Sequence, residues 1–109
     1  MARHALGEFE HLVLLALVRL GKRGYAAPVV VELEAVTGRR VSAAAVFIAL
    51  RRLEQRGYAR SIKREARPGE GGRGRRVFQV TAAGSARLAE SRRTFERLWG
   101  PPSPLAEQS

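Results

Sequence analysis

The run Val41-Ser-Ala-Ala-Ala-Val-Phe-Ile-Ala-Leu-Arg-Arg-Leu-Glu-Gln-Arg-Gly57, continued by Tyr58-Ala-Arg-Ser-Ile-Lys-Arg64, decides the fold because its period changes partway along. Up to Arg56 the apolar residues Val46, Leu50 and Leu53 recur at helical spacing, Ser42 is placed to cap the first turn and Gly57 to stop the last. From Tyr58 the period shortens to two, with Tyr58, Arg60, Ile62 and Arg64 alternating with Ala59, Ser61 and Lys63. Arg67-Pro-Gly-Glu-Gly-Gly-Arg-Gly74 is a loop by its turn signals. Arg75-Arg-Val-Phe-Gln-Val80 then resumes the strand period, with Arg76, Phe78 and Val80 opposing Val77 and Gln79. A helix leading directly into a hairpin is predicted.

Working outward, Phe9, Leu12, Val13, Ala16, Leu17 and Leu20 predict a helix from about Glu8 to Leu20, with Glu8 and Glu10 at the end where the helix dipole favours acids. Leu14, Leu15 and Val18 widen its stripe, so this helix is expected to be covered on more than one side, the second side by another subunit. Gly21-Lys-Arg-Gly24 ends it. A second helix is predicted from Ala27-Pro28 to Thr37, with Val29, Val30, Leu33 and Val36 facing inward and Gly38 as its C-terminal cap. Arg39-Arg40-Val41 connects it to the third. Two short helices joined by a tight turn form a helix-turn-helix, and a hairpin directly after one is a wing. Thr81 can cap a last helix from Ala82 to about Trp99, with Leu88, Phe95, Leu98 and Trp99 as its apolar seam. The expected fold is mostly α with a small β-hairpin, a winged helix-turn-helix in the order α-α-α-β-β-α. Residues 1–81 are expected to form the winged helix-turn-helix domain, 82–99 a separate terminal helix, and 100–109, opening Gly-Pro-Pro-Ser-Pro, a disordered tail.

The charge is as one-sided as the architecture. The chain carries 20 Lys+Arg against 10 Asp+Glu, a formal net charge of +10. Residues 39–76 hold twelve of the bases, eleven of them arginine, against the three acids Glu54, Glu65 and Glu70. Nearly all of the excess therefore lies on the third helix and the hairpin, which points to a polyanion and outweighs a merely solvated surface. No apolar run approaches the length of a membrane span, the longest being Leu12 to Val18, and no signal peptide is recognised. The absence of cysteine fits a reducing cytoplasm and leaves no thiolate metal site.

In the third helix, Ala44, Ala45, Ile48, Arg51, Arg52 and Gln55 face away from the core stripe. In a major groove, Arg51 and Arg52 would reach guanine edges or phosphates, and the amides after Ser42 would meet a phosphate. Of Phe47 and Ile48, one is expected in the core and the other on a thymine methyl or the backbone. Arg39 and Arg40 lead into this helix. Lys63, Arg67, Arg73, Arg75 and Arg76 arm the wing, where glycine permits close approach and arginine suits a narrow minor groove; the plainer reading is a charged surface hairpin that resists edge pairing. Gly69-Glu-Gly71-Gly-Arg-Gly74 matches G-x-G-x-x-G, but a strand follows it where a dinucleotide site needs a helix. His4 and His11 have no cysteine or carboxylate cluster beside them, and no catalytic motif, metal or cofactor is expected.

Five stretches in this order resemble the PadR-type winged-helix transcriptional regulators: Leu6-Gly-Glu-Phe-Glu-His-Leu-Val-Leu-Leu-Ala16, Gly24-Tyr25, Val41-Ser42, Leu50-Arg-Arg-Leu-Glu-Gln-Arg-Gly57 and Arg76-Val-Phe-Gln-Val-Thr-Ala-Ala-Gly84. The chain resembles the short form, with one helix after the wing. The resemblance implies a non-enzymatic homodimer that represses at roughly palindromic operators, its last helix packing on the partner's N-terminal region. Phe9, Leu12, Leu88, Phe95, Leu98 and Trp99 are the expected interface. It also places Ser42 at the start of the recognition helix, and Arg52 and Glu54 in the family's Arg-Leu-Glu segment. Phe47 stands where a tyrosine is usual, and Ile48 and Ala49 where hydroxyl residues are frequent, so more of the contact is expected from Arg51, the wing and DNA shape. An aromatic effector near Phe95 and Trp99 is a further implication, though dimer core is the stronger reading of those two. The competing functions are a non-specific basic nucleoid or ribosome-associated protein and a winged-helix protein-interaction adaptor.

Overall fold

Helices α3 and α4 begin at side-chain caps, and α1 and α2 end at glycines, which supply hydrogen bonds that helix termini lack. In the computed structural model, which describes residues 6–65 and 75–101, the order is α1 (Glu8–Leu20), one 3-10 turn (Gly21–Arg23), α2 (Ala26–Thr37), α3 (Ala43–Gln55), β1 (Ala59–Arg64), β2 (Arg75–Val80) and α4 (Ala82–Leu98). Ser42 Oγ accepts the Ala45 N–H at 3.2 Å and so caps α3. Thr81 Oγ1 accepts the Gly84 N–H at 3.0 Å and caps α4. Gly38 closes α2 in the left-handed conformation, φ 70°, where a side chain would be strained.

The core lies where α1, α2 and α3 meet. Val13, Leu14, Ala16 and Leu17 of α1, Val29 and Leu33 of α2, and Val46, Ala49, Leu50 and Leu53 of α3 are all buried, with Ala59 and Phe78 of the hairpin closing one side. One expectation about the helices changes. Val36 shares an angular stripe with Val29 and Leu33 but is 64% exposed, because the last turn of α2 overruns the packed layer. Leu15 and Val18 of α1 remain exposed, which leaves its second apolar face uncovered.

β1 and β2 pair antiparallel in the register Ala59↔Val80, Ser61↔Phe78, Lys63↔Arg76 on one face and Arg60↔Gln79, Ile62↔Val77, Arg64↔Arg75 on the other. Phe78 fills the core, as the inward face requires. Val77 on the opposite face is buried too, against the simple alternation expected of a half-covered strand. The cause is a third backbone segment: Phe78 N–H donates to Gly24 O at 2.7 Å, so the turn after α1 lies along the free edge of β2. This approach needs glycine, because a Cβ on Gly24 would sit 2.2 Å from the Phe78 carbonyl oxygen. Gly84 makes a matching approach to the Tyr58 carbonyl, also 2.2 Å from a built Cβ. The root of the hairpin is thus held on both sides by glycine contacts. Arg67, Arg73 and residues 102–109 of the expected tail lie outside the described residues.

Candidate nucleic-acid interface

The turn ahead of α3 is fixed by side chains of α2. Glu34 Oε2 accepts the Val41 N–H at 2.9 Å, and Thr37 Oγ1 accepts the Arg39 N–H at 3.2 Å. Arg39 and Arg40 are held there with exposed side chains, in front of the positive end of α3. Ser42 Oγ is already an acceptor in the cap, so its contribution to a phosphate would be its hydroxyl proton together with the first-turn amides.

With Val46, Ala49, Leu50 and Leu53 buried, the helical period sets Ala44, Ile48, Arg51 and Gln55 along the opposite ridge, and all four are exposed. The expectation that Phe47 or Ile48 would enter the core fails. Both are exposed, at 42% and 52%, because Val46 and Ala49 already fill the positions that face the core. Ala49, which stands where the family resemblance expects a hydroxyl residue, is 3% exposed and belongs to the core. The Arg51 guanidinium lies 5.9 Å from the Phe47 ring centroid, a cation–π distance that steadies Arg51 on the outer face. Arg52 lies on the flank of that ridge and lines a groove with Glu8 and Glu10 at the start of α1.

The wing root gathers four cations. Register sets Lys63 opposite Arg76 and Arg64 opposite Arg75, and all four are exposed. Directly opposed like charges destabilise a strand pair, so two such pairs in succession are what a polyanion-binding surface would carry and a purely structural hairpin would not. Two contacts position them. Arg76 Nη1 donates to Ser61 Oγ at 3.0 Å, while Ser61 donates to Glu54 Oε2 at 2.5 Å through its hydroxyl and at 3.1 Å through its amide. Arg75 stacks its guanidinium 4.3 Å from the Tyr25 ring centroid. Sequence reasoning missed Arg64, Tyr25 and Glu54 as parts of this site. Only the strand register and the turn packed on β2 bring them in, although the placement of Glu54 one turn before a strand was an available signal.

A second surface lies on α4. Phe95, Leu98 and Trp99 are exposed, Leu98 and Trp99 at 78% and 84%, and Phe95 and Trp99 share a groove with the uncovered Leu15 and Val18 of α1. Phe9, Leu12 and Leu88 are instead half-buried against the chain's own core. Beside this surface the Phe95 ring stacks on His11 at 6.0 Å, and Arg87 Nη1 pairs with Glu90 at 3.4 Å while its Nε is buried without a partner. Burial, and then the nearby Arg87 charge, hold His11 below its ordinary pKa of 6.5; Glu8 and Glu90 line the same groove. Folding therefore favours neutral His11. The unfolded chain takes up a proton first as pH falls through 6.5, and stability is lost from there downward. Between about pH 7.5 and pH 5.5 the thermal midpoint is expected to fall further for the wild type than for His11→Gln, a window set by the ordinary histidine value. Equal falls would remove His11 from the account.

A helix-turn-helix with an outward third helix, followed by a cationic hairpin and a terminal helix, defines a winged-helix DNA-binding regulator. The model of the PadR-like family of transcriptional regulators matches residues 14–90, and the chain belongs to that family, whose members are regulators and not enzymes. Solved structures agree. The PadR family regulator from Eggerthella lenta DSM 2243 is 26% identical over 84% of this chain and 79% of its own, with a TM-score of 0.65. A PadR-like transcription factor from Bacteroides fragilis is 20% identical over 83% and 82%, TM-score 0.67. A PadR family regulator from hypervirulent Clostridium difficile R20291 is 18% identical over 84% and 91%, TM-score 0.63, and like the second it shares the fold. No curated protein sequence matches the chain.

Proposed function

We propose that the protein is a homodimeric, cytoplasmic transcriptional repressor that binds a roughly palindromic operator, with α3 in the major groove and the wing on the flanking backbone. The observation that carries this is the pairing of like charges at the wing root, Lys63↔Arg76 and Arg64↔Arg75, together with the exposed Arg39, Arg40 and Arg51 before and on α3. Dimerisation is supported by α4, which leaves Leu98 and Trp99 almost wholly in solvent beside the bare face of α1. Replacing both by aspartate is expected to convert a dimer to a monomer in sedimentation equilibrium and to weaken operator binding at least tenfold, since two half-sites are then no longer coupled. A wild-type monomer in the same run would count against the dimer. An effector held near Phe95 and Trp99 is compatible with this arrangement but has less support than dimer packing.

Fluorescence anisotropy tests the specific reading, with the DNA upstream of this gene compared against the same duplex scrambled. Preference for the first at about 150 mM salt is expected, and equal affinity would leave only the non-specific reading. If six phosphates are contacted, the logarithmic salt slope should be near −5, on the basis of roughly −0.9 per contact. Exposure of Phe47 and Ile48 is the observation that favours a protein-interaction adaptor instead. The surrounding arginines weigh against it, because an apolar protein patch is seldom framed by so many like charges.

A further inference from the structure

The first two turns of the α3 ridge carry no side chain able to form a hydrogen bond. Ala44 and Ile48 lie on the ridge itself, with Ala45 and Phe47 beside them, all exposed; the first polar side chain on the ridge is Arg51. This is the end of a recognition helix that comes nearest the bases. The major groove displays donors, acceptors and a single apolar substituent, the thymine 5-methyl group. The patch is framed by Arg39 and Arg40 before it and Arg51 and Arg52 after it, a charge pattern complementary to duplex phosphates. The Phe47 ring is already engaged by Arg51, which leaves Ile48, 52% exposed, as the open apolar contact.

From this we infer that α3 reads thymine methyl groups, chiefly through Ile48 and Ala44, next to a guanine taken by Arg51. The inference rests on the DNA-binding reading above. At a rise of about 1.5 Å per residue, Ile48 and Arg51 are separated by about 4.5 Å, close to one base-pair step, and Ala44 and Ile48 by about 6 Å. Each half-site therefore carries thymines about two base pairs apart, followed within a step or two by guanine. Ile48 and Ala44 are the specificity-determining residues for the thymines.

The test uses the full chain and a library of randomised duplexes. The enriched duplex is then synthesised with thymine or with uracil, which pairs identically and lacks the methyl group, at each half-site position. Wild-type binding is expected to weaken about fourfold per critical methyl lost. Ile48→Ala, at an exposed position where folding is little affected, is expected to bind thymine and uracil alike at the position that Ile48 reads, while the position that Ala44 reads keeps its preference. That comparison separates a lost contact from altered duplex stiffness, which would persist in the variant. Equal wild-type affinity for the all-uracil duplex would overturn the thymine reading while DNA binding stood. Failure to enrich any duplex would overturn both, and binding of Phe47 and Ile48 by protein would then take their place.

Discussion

Gly24→Ala is expected to be severely destabilising, lowering the thermal midpoint by roughly 15 °C or more. A Cβ there would lie 2.2 Å from the Phe78 carbonyl oxygen and 3.1 Å from Leu17 Cδ2. Backbone atoms cannot rotate away, so the turn must lift off β2. That breaks the 2.7 Å bond from Phe78 N–H to Gly24 O and leaves two buried groups without partners. It also loosens Phe78, the largest fully buried side chain. Unsatisfied buried groups cost about 1–3 kcal/mol and disturbed core packing a similar amount, together about 4 kcal/mol. A domain of this size has about 5–15 kcal/mol to lose. Gly7→Ala is the control, since a Cβ there meets nothing within 4 Å. Comparable midpoints for the two variants in thermal denaturation would contradict the close approach.

The wing root should show the opposite relation between stability and function. Replacing Lys63 and Arg64 by glutamine removes both like-charge cross-strand pairs while leaving Arg75 and Arg76 with their Tyr25 and Ser61 contacts. The thermal midpoint is expected to rise slightly at low salt, with the gain vanishing as salt screens the repulsion. DNA affinity is expected to fall at least tenfold, and the salt slope to become less steep by about one per cation removed. Circular dichroism melts and anisotropy titrations on one preparation read both. A variant that melts lower and binds unchanged would mean that these cations serve the hairpin and not a nucleic acid.

Most of the fold was legible because period and punctuation agreed. Ser42, Gly57 and Thr81 mark boundaries that the structure reproduces within a residue, and the change from helical to strand spacing at Tyr58 locates the wing. What was not legible depends on contacts between segments distant in sequence. No local pattern indicates that the turn at Gly24 lies along β2, yet that contact buries Val77 and brings Tyr25 under Arg75. The exposure of Val36 has the same origin, since a periodic stripe shows which side faces inward but not where the neighbouring helices end. The site was legible as a charge excess and only partly as a list of residues. Arg39, Arg40, Arg51, Arg75 and Arg76 are all exposed, but the strand period turns Arg75 and Arg76 to opposite faces of the hairpin. Phe47 and Ile48 could not be apportioned from sequence because Val46 and Ala49 compete for the same buried arc.

The central claim is that a dimer sets two α3 helices into successive major grooves. Footprinting of the full chain on its enriched duplex tests this most directly, with hydroxyl radicals and dimethyl sulfate used in parallel. Two protected major-groove segments are expected, their centres about 10 base pairs or a whole multiple apart, with guanine N7 protected in each and that protection lost in Arg51→Ala. A single uninterrupted footprint, or guanine protection that survives Arg51→Ala, would contradict the account.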